Sequence, residues 1–125
     1  MNYKIIDFFY FLNEKIVEEI ENEFSNRIDS IVLSGAIYKG YQSRIEFEEL
    51  KNSEEFDSLI YKITHPGYEN NQHMTELNYY KELSKYKAAF VGHHNFPLNF
   101  LLAKHIEVLM CGCLGFFEPN PLLQE

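Results

Sequence analysis

The sequence is poor in basic residues and in cysteine. Its 11 lysine and arginine residues stand against 19 aspartate and glutamate residues, a formal net charge of −8. Because affinity for a nucleic-acid backbone depends on cations that neutralise phosphates, this balance argues against nucleic acid as a partner. Cys111 and Cys113 are separated by one residue, too close for an easy intrachain disulfide or a CxxC redox site. We expect both to be small buried residues.

Long apolar runs and metal-binding spacings are also missing. No run approaches the ~20 apolar residues of a membrane span, and Asp7 interrupts the N-terminal stretch IIDFFYFL, which acidic residues follow instead of a cleavage site. His93, His94 and His105 lie near the cysteines, but no pair has the ligand spacing of a closed zinc site. A DxD metal motif is absent. We therefore expect a soluble cytoplasmic protein with no metal and no other cofactor.

The 125 residues are enough for one domain with a core, preceded by a helix. An apolar residue recurs every three or four positions at Ile5, Phe9, Leu12, Ile16, Ile20 and Phe24, which predicts an amphipathic helix with an acidic opposite face. Phe8, Tyr10 and Phe11 make its start apolar nearly all round. We assign residues 1–27 to this helix, and expect it to dock on a partner domain or a second copy.

Residues 28–125 alternate strand and helix patterns. Strands are predicted at Ile31–Leu33, Ser58–Ile63, Ala88–Val91 and Leu114–Phe117, and helices from a Ser43/Glu46 capping box to about Lys51 and from Thr75 to about Tyr86. This order predicts an α/β, Rossmann-like parallel sheet of about four strands joined by right-handed crossovers. Ligands of such sheets bind beyond the carboxyl ends of the strands.

The stretch Asn95–Glu118, NFPLNFLLAKHIEVLMCGCLGFFE, predicts a helix with defined ends. Pro97 suits a first turn and Gly112 suits the position just past the end. Free backbone N–H groups around Leu98 and Asn99 can receive a phosphate. Lys104 and Glu107 follow one turn apart, and Glu107 lies beside the apolar stripe, where a carboxylate can stand in a cleft.

This segment resembles the nucleotide-sugar half of glycosyltransferases with the GT-B fold, most closely the spore-maturation-protein type. The resemblance rests on Lys104, Glu107, Gly112 and the strand after them, on SIVLSGAIYKGYQSR, which looks like the family's strand, Gly turn and Tyr-x-x-Arg, and on HPGY at His65–Tyr68. It covers roughly residues 30 to 118. Asn99 departs from the family's pattern. Many relatives carry a glutamate at this position, separated by seven residues from the glutamate that corresponds to Glu107.

The resemblance implies a set of donor-binding residues. Glu107 would accept hydrogen bonds from the two ribose hydroxyls, and Lys104 and Arg44 would face the diphosphate. The first helical turn, with Leu98 and Asn99, would also lie at the donor. Each residue also has an ordinary interpretation. Glu107 and Lys104 can form a weak surface pair, and Arg44 can be a surface residue on a capped helix.

Three loop residues complete the set. Gly35 would let its loop approach the ligand closely, His65 would hydrogen-bond a phosphate or the donor sugar, and Tyr68 would stack on the base. His93 and His94 precede the helix, where a histidine can stabilise a leaving diphosphate. The alternatives are a simple chain turn at Gly35, an ordinary His-Pro-Gly-Tyr turn and solvent-exposed loop histidines.

Two functions follow from these patterns. The first is a domain that binds a nucleotide-diphosphate sugar, incomplete at its C-terminus, with the acceptor site and general base supplied by a separate GT-B domain. The enzyme so completed would be a hexosyltransferase-like glycosyltransferase. The second is a non-catalytic interaction protein that retains a degenerate glycosyltransferase scaffold and docks through its N-terminal helix.

Overall fold

The structure is a computed structural model, and it describes residues 14–35, 37, 39–63, 76–94 and 103–119. Its elements are α1 (Glu14–Glu21), a 3-10 helix (Asn22–Asn26), β1 (Ile28–Ser34), α2 (Gln42–Lys51), β2 (Ile60–Ile63), α3 (Glu76–Ser84), β3 (Tyr86–Val91), α4 (Ala103–Met110) and β4 (Leu114–Phe117). The predicted alternation of strands and helices is confirmed. None of the helices in these ranges is long and apolar enough to cross a membrane.

All four strands are parallel and lie in the order β2-β1-β3-β4. The predicted Rossmann-like sheet is therefore confirmed. The chain moves from β1 to its neighbour β2 and then crosses back to place β3 on the other side of β1. The strand order thus reverses between β1 and β3, and open α/β sheets bind ligands beyond the carboxyl ends of the strands at such a point.

Helices cover both faces of this sheet. On one face α1 and α4 both contact α3, and Val32 and Ala89 of the central strands join the core beneath them. On the other face α2 packs against β1 and β2. Phe90 follows Ala89, so it points to the opposite face, and its ring stacks on that of Phe47 in α2 at 4.3 Å.

The core on the three-helix face contains both cysteines. Cys111 and Cys113 are free and buried, as predicted. Burial raises the pKa of the Cys111 thiol to about 12 and that of Cys113 to about 11, so both stay protonated and unreactive at neutral pH. Ile20 of α1 is fully buried in the same core, so the described part of the N-terminal helix packs against its own chain.

The capping box predicted at Ser43 and Glu46 does not form. The N-cap of α2 is Tyr41, without a side-chain cap. The Ser43 hydroxyl donates instead to the Glu118 carboxylate, at 2.8 Å. Glu46 accepts a bond from the Gln42 side chain at 3.0 Å. Ser43 therefore donates to a charged acceptor just after β4. This acceptor is distant in sequence, so local patterns around Ser43 do not indicate it.

Candidate functional site

Three of the predicted site residues meet where β1 ends. Gly35 has a positive φ of 102°, a conformation that glycine adopts without strain. A Cβ at this position would lie 3.0 Å from Nη1 of Arg44 and 3.0 Å from Cε of Lys104. The two cationic side chains, one from α2 and one from α4, thus converge over the Gly35 backbone.

Arg44 spans the point where the strand order reverses. Its side chain is buried, with 4% exposed, and its Nε donates to the carbonyl of Gly92, just after β3, at 2.8 Å. Its guanidinium lies over the ring of Tyr41, 3.9 Å from the centroid. Tyr41 in turn makes an edge contact with His94. The alternative of an exposed surface arginine is therefore wrong, since Arg44 joins the loops that follow β1 and β3.

Lys104 belongs to a hydroxyl–amine cluster with Ser34 and Tyr79. Its Nζ lies 3.2 Å from the Ser34 Oγ and 3.1 Å from the Tyr79 hydroxyl, and these two oxygens are 2.8 Å apart. Burial lowers the pKa of Lys104 to about 7, Glu107 opposes this change and Arg44 adds to it. Burial also raises the pKa of Tyr79, so its hydroxyl stays neutral.

Glu107 lies in the interior, with 8% of the residue exposed. Its Oε1 is 3.5 Å from the hydroxyl of Tyr80 on α3, the long limit for a hydrogen bond. The described ranges contain no ion pair between Glu107 and Lys104. The alternative of a weak surface pair is therefore wrong, and the position differs from the open cleft that the sequence predicts.

A second polar group joins the ends of β3 and β4 to the start of α2. Glu118 Oε2 accepts from the Ser43 hydroxyl at 2.8 Å and from the backbone N–H of His93 at 3.0 Å. A Cβ at Gly92 would lie 2.3 Å from the Ser43 Oγ, so a side chain at this position would displace the Ser43 hydroxyl. The ring of His93 faces the carbonyls of His94 and Pro119, at 3.0 and 3.2 Å.

Sequence reasoning missed four of these residues. Ser34 and Glu118 directly follow apolar strand residues, and that position at the carboxyl end was the available signal. Tyr79 and Tyr80 resemble core positions of α3, and no sequence pattern indicates that their hydroxyls reach Lys104 and Glu107. The predicted site residues His65, Tyr68, Leu98 and Asn99 lie outside the described residues, as do the aromatic residues at the start of the chain.

Comparison with known proteins finds no family model, no curated protein and no solved structure that matches this chain. In the described ranges, no three histidine, cysteine, aspartate or glutamate residues lie close enough together to hold a metal ion. The fold and the geometry at Gly35 are therefore the features from which a function can be inferred.

Proposed function

We propose that this chain binds a nucleotide-diphosphate sugar and forms the donor-binding half of a glycosyltransferase whose acceptor domain is supplied separately. The convergence of Arg44 and Lys104 over Gly35 carries the proposal. These cations lie at the carboxyl ends of parallel strands where the strand order reverses, which is the usual ligand position of such sheets. A diphosphate carries the opposite charge and would interact with both.

The charge of the whole chain supports a small anion as the ligand. With a net charge of −8, the protein repels an extended polyanion, whereas the Arg44 guanidinium, together with Lys104 when it is protonated, attracts a compact one. Glycosyl transfer needs the charge of the departing diphosphate to be stabilised, and preorganised cations supply that stabilisation. Arg44 is already held by Gly92 and Tyr41, so little ordering is needed on binding.

Glu107 is the residue that we propose accepts hydrogen bonds from the ribose hydroxyls. It follows Lys104 by one helical turn, and residues spaced this way lie about 5–6 Å apart along a helix face. A ribose is bonded to the phosphate in a nucleotide, so the two contacts suit one ligand. Because Glu107 is buried, ribose binding requires its carboxylate to become accessible to the ligand.

Calorimetric titration with several nucleoside diphosphates tests this function. We expect the wild type to bind at least one of them. Arg44→Gln and Glu107→Ala should each remove charge-assisted hydrogen bonds of roughly 1.5–3 kcal/mol, about one to two decades in Kd. Glu107→Gln should cost less, because the amide keeps one acceptor. The Glu107 effect should be larger for a ribonucleotide than for its deoxy counterpart.

Lys87→Gln is the matched control. Lys87 stands near the opposite end of β3 and pairs with Asp29, so this variant loses the same charge far from Gly35 and should bind like the wild type. Circular dichroism checks that each variant is folded. Absence of binding by the wild type, or equal binding by all variants, would refute the proposed function.

A second candidate is a non-catalytic interaction protein on the same scaffold. Leu114 and Phe116 of β4 are 65% and 45% exposed, and β4 lies at an edge of the described sheet. Exposed apolar side chains on an edge strand favour pairing with another chain. The same titration separates the two candidates, because this one predicts no binding of nucleoside diphosphates.

A further inference from the structure

Lys104 is a partly buried amine whose hydrogen bonds go to neutral groups. Its Nζ contacts the hydroxyls of Ser34 and Tyr79, and among the described residues it has no carboxylate at ion-pair distance. Desolvation disfavours the ammonium in such surroundings, and Glu107, one helical turn away, offsets part of that penalty. The cluster therefore suits a neutral amine when the site is empty, and a charged one when an anion lies beside it.

We propose that Lys104 takes up a proton when the diphosphate of a ligand binds over Gly35, and releases it when the ligand leaves. This inference rests on the proposed function, and it adds a coupling between ligand binding and pH. The reciprocal statement also holds, because binding of the proton and of the anion are linked: each raises the affinity for the other by the same factor.

The groups that face Lys104 from each neighbouring element support this assignment. Ser34 and Gly35 of β1 are neutral, Arg44 of α2 is permanently charged, and burial keeps Tyr79 of α3 protonated by raising its pKa. Glu107 on α4 attracts the ammonium and Arg44 repels it, but burial has the largest effect and lowers the pKa of Lys104 to about 7. Of Arg44 and Lys104, the two cations that meet over Gly35, Lys104 is thus the one whose charge changes near neutral pH.

A bound phosphate would supply the missing counter-charge. An anion beside an amine favours the protonated form, so the pKa of Lys104 should rise toward its ordinary value in the complex. At pH 8, above this lowered pKa, much of the free protein would hold Lys104 as the neutral amine, so binding should take up protons. The terminal phosphate loses its last proton near pH 6, so at pH 8 the ligand does not supply this signal.

Calorimetry at pH 8 in three buffers of different ionisation enthalpy measures the proton directly. The probes are uridine and adenosine diphosphate, and the slope of observed enthalpy against buffer ionisation enthalpy gives the number of protons taken up. We expect a clearly positive number for the wild type and about 0 for Lys104→Arg, which is charged in both states. The distant Lys87→Gln should keep the wild-type slope.

The outcomes separate the two proposals. Binding by the wild type with a slope of zero, or an unchanged slope in Lys104→Arg, would overturn the proton coupling and leave the proposed function standing. No binding of either nucleotide in any buffer would overturn both. The wild-type slope decides the matter even if a variant does not fold.

Discussion

At the scale of single residues, Lys104 makes the stability of the protein depend on pH. Its pKa is lowered to about 7 in the folded protein from 10.5, so between these values the unfolded chain binds more protons. Stability should therefore rise with pH over this window. Replacing Lys104 removes the dependence, because a neutral side chain has no proton to lose on folding.

The effect of Lys104→Met on the free energy of unfolding should thus be more stabilising, or less destabilising, at pH 7 than at pH 9.5. We expect the free energy of unfolding of the variant minus that of the wild type to fall by on the order of 2 kcal/mol as the pH rises over this range. This figure allows for solvent screening. Urea denaturation at the two pH values measures it, with Lys87→Met as the exposed control. A difference that does not change with pH would show that Lys104 keeps its ordinary pKa.

The residues of the site were predictable only in part. Gly35 directly follows β1, and Arg44 and Lys104 lie near the starts of α2 and α4. The parallel topology brings such positions together. Ser34 and Tyr79 were not predicted to hold Lys104, because a hydroxyl in an apolar helix pattern gives no sign of where it points. Whether these residues bind a nucleotide sugar, as the resemblance implies, stays a prediction.

At the scale of elements, Arg27 joins the C-terminal end of α4 to the sheet. Its guanidinium donates to the carbonyls of Tyr86, Cys111 and Gly112. Gly112 takes a positive φ of 73° just past the helix, the usual helix-ending conformation. A cation at this end also interacts favourably with the helix dipole.

Arg27→Met should therefore lower the free energy of unfolding by about 1–3 kcal/mol, because it leaves partly buried carbonyls without a donor. Arg27→Lys should recover only part of the loss, since an ammonium cannot match the planar fork of the guanidinium. Chemical denaturation followed by circular dichroism measures both variants. Equal stability of Arg27→Met and the wild type would mean that water replaces these bonds at no cost.

Element types were predictable, and some of their ends were not. β1 begins at Ile28, three residues before the predicted start, because Asp29 and Ser30 resemble a polar loop. Ser30 is buried and its hydroxyl donates to the carbonyl of Ser58 at 3.2 Å. The pairing with β3 is irregular between Ile28 and Ile31. A long-range partner thus satisfies polar residues that local patterns assign to a turn.

At the scale of the whole molecule, the edge strand β4 bears exposed Leu114 and Phe116. We expect the chain to self-associate as its concentration rises, because burying these side chains against a second copy removes apolar surface from water. Sedimentation velocity over a concentration series measures this. Leu114→Lys with Phe116→Lys should shift the protein toward monomer, whereas Leu50→Lys, at an exposed apolar position of α2, should not. A wild type that stays monomeric throughout would contradict this expectation.

The bond between Ser43 and Glu118 also bears on how the molecule acquires its shape. It joins residues 75 positions apart, and in the sheet β3 lies between β1, which precedes α2, and β4. Contacts of such long sequence separation pay a large loop-closure entropy and form slowly. During synthesis, therefore, Ser43 at the start of α2 gains this partner only after β4 and Glu118 have been made.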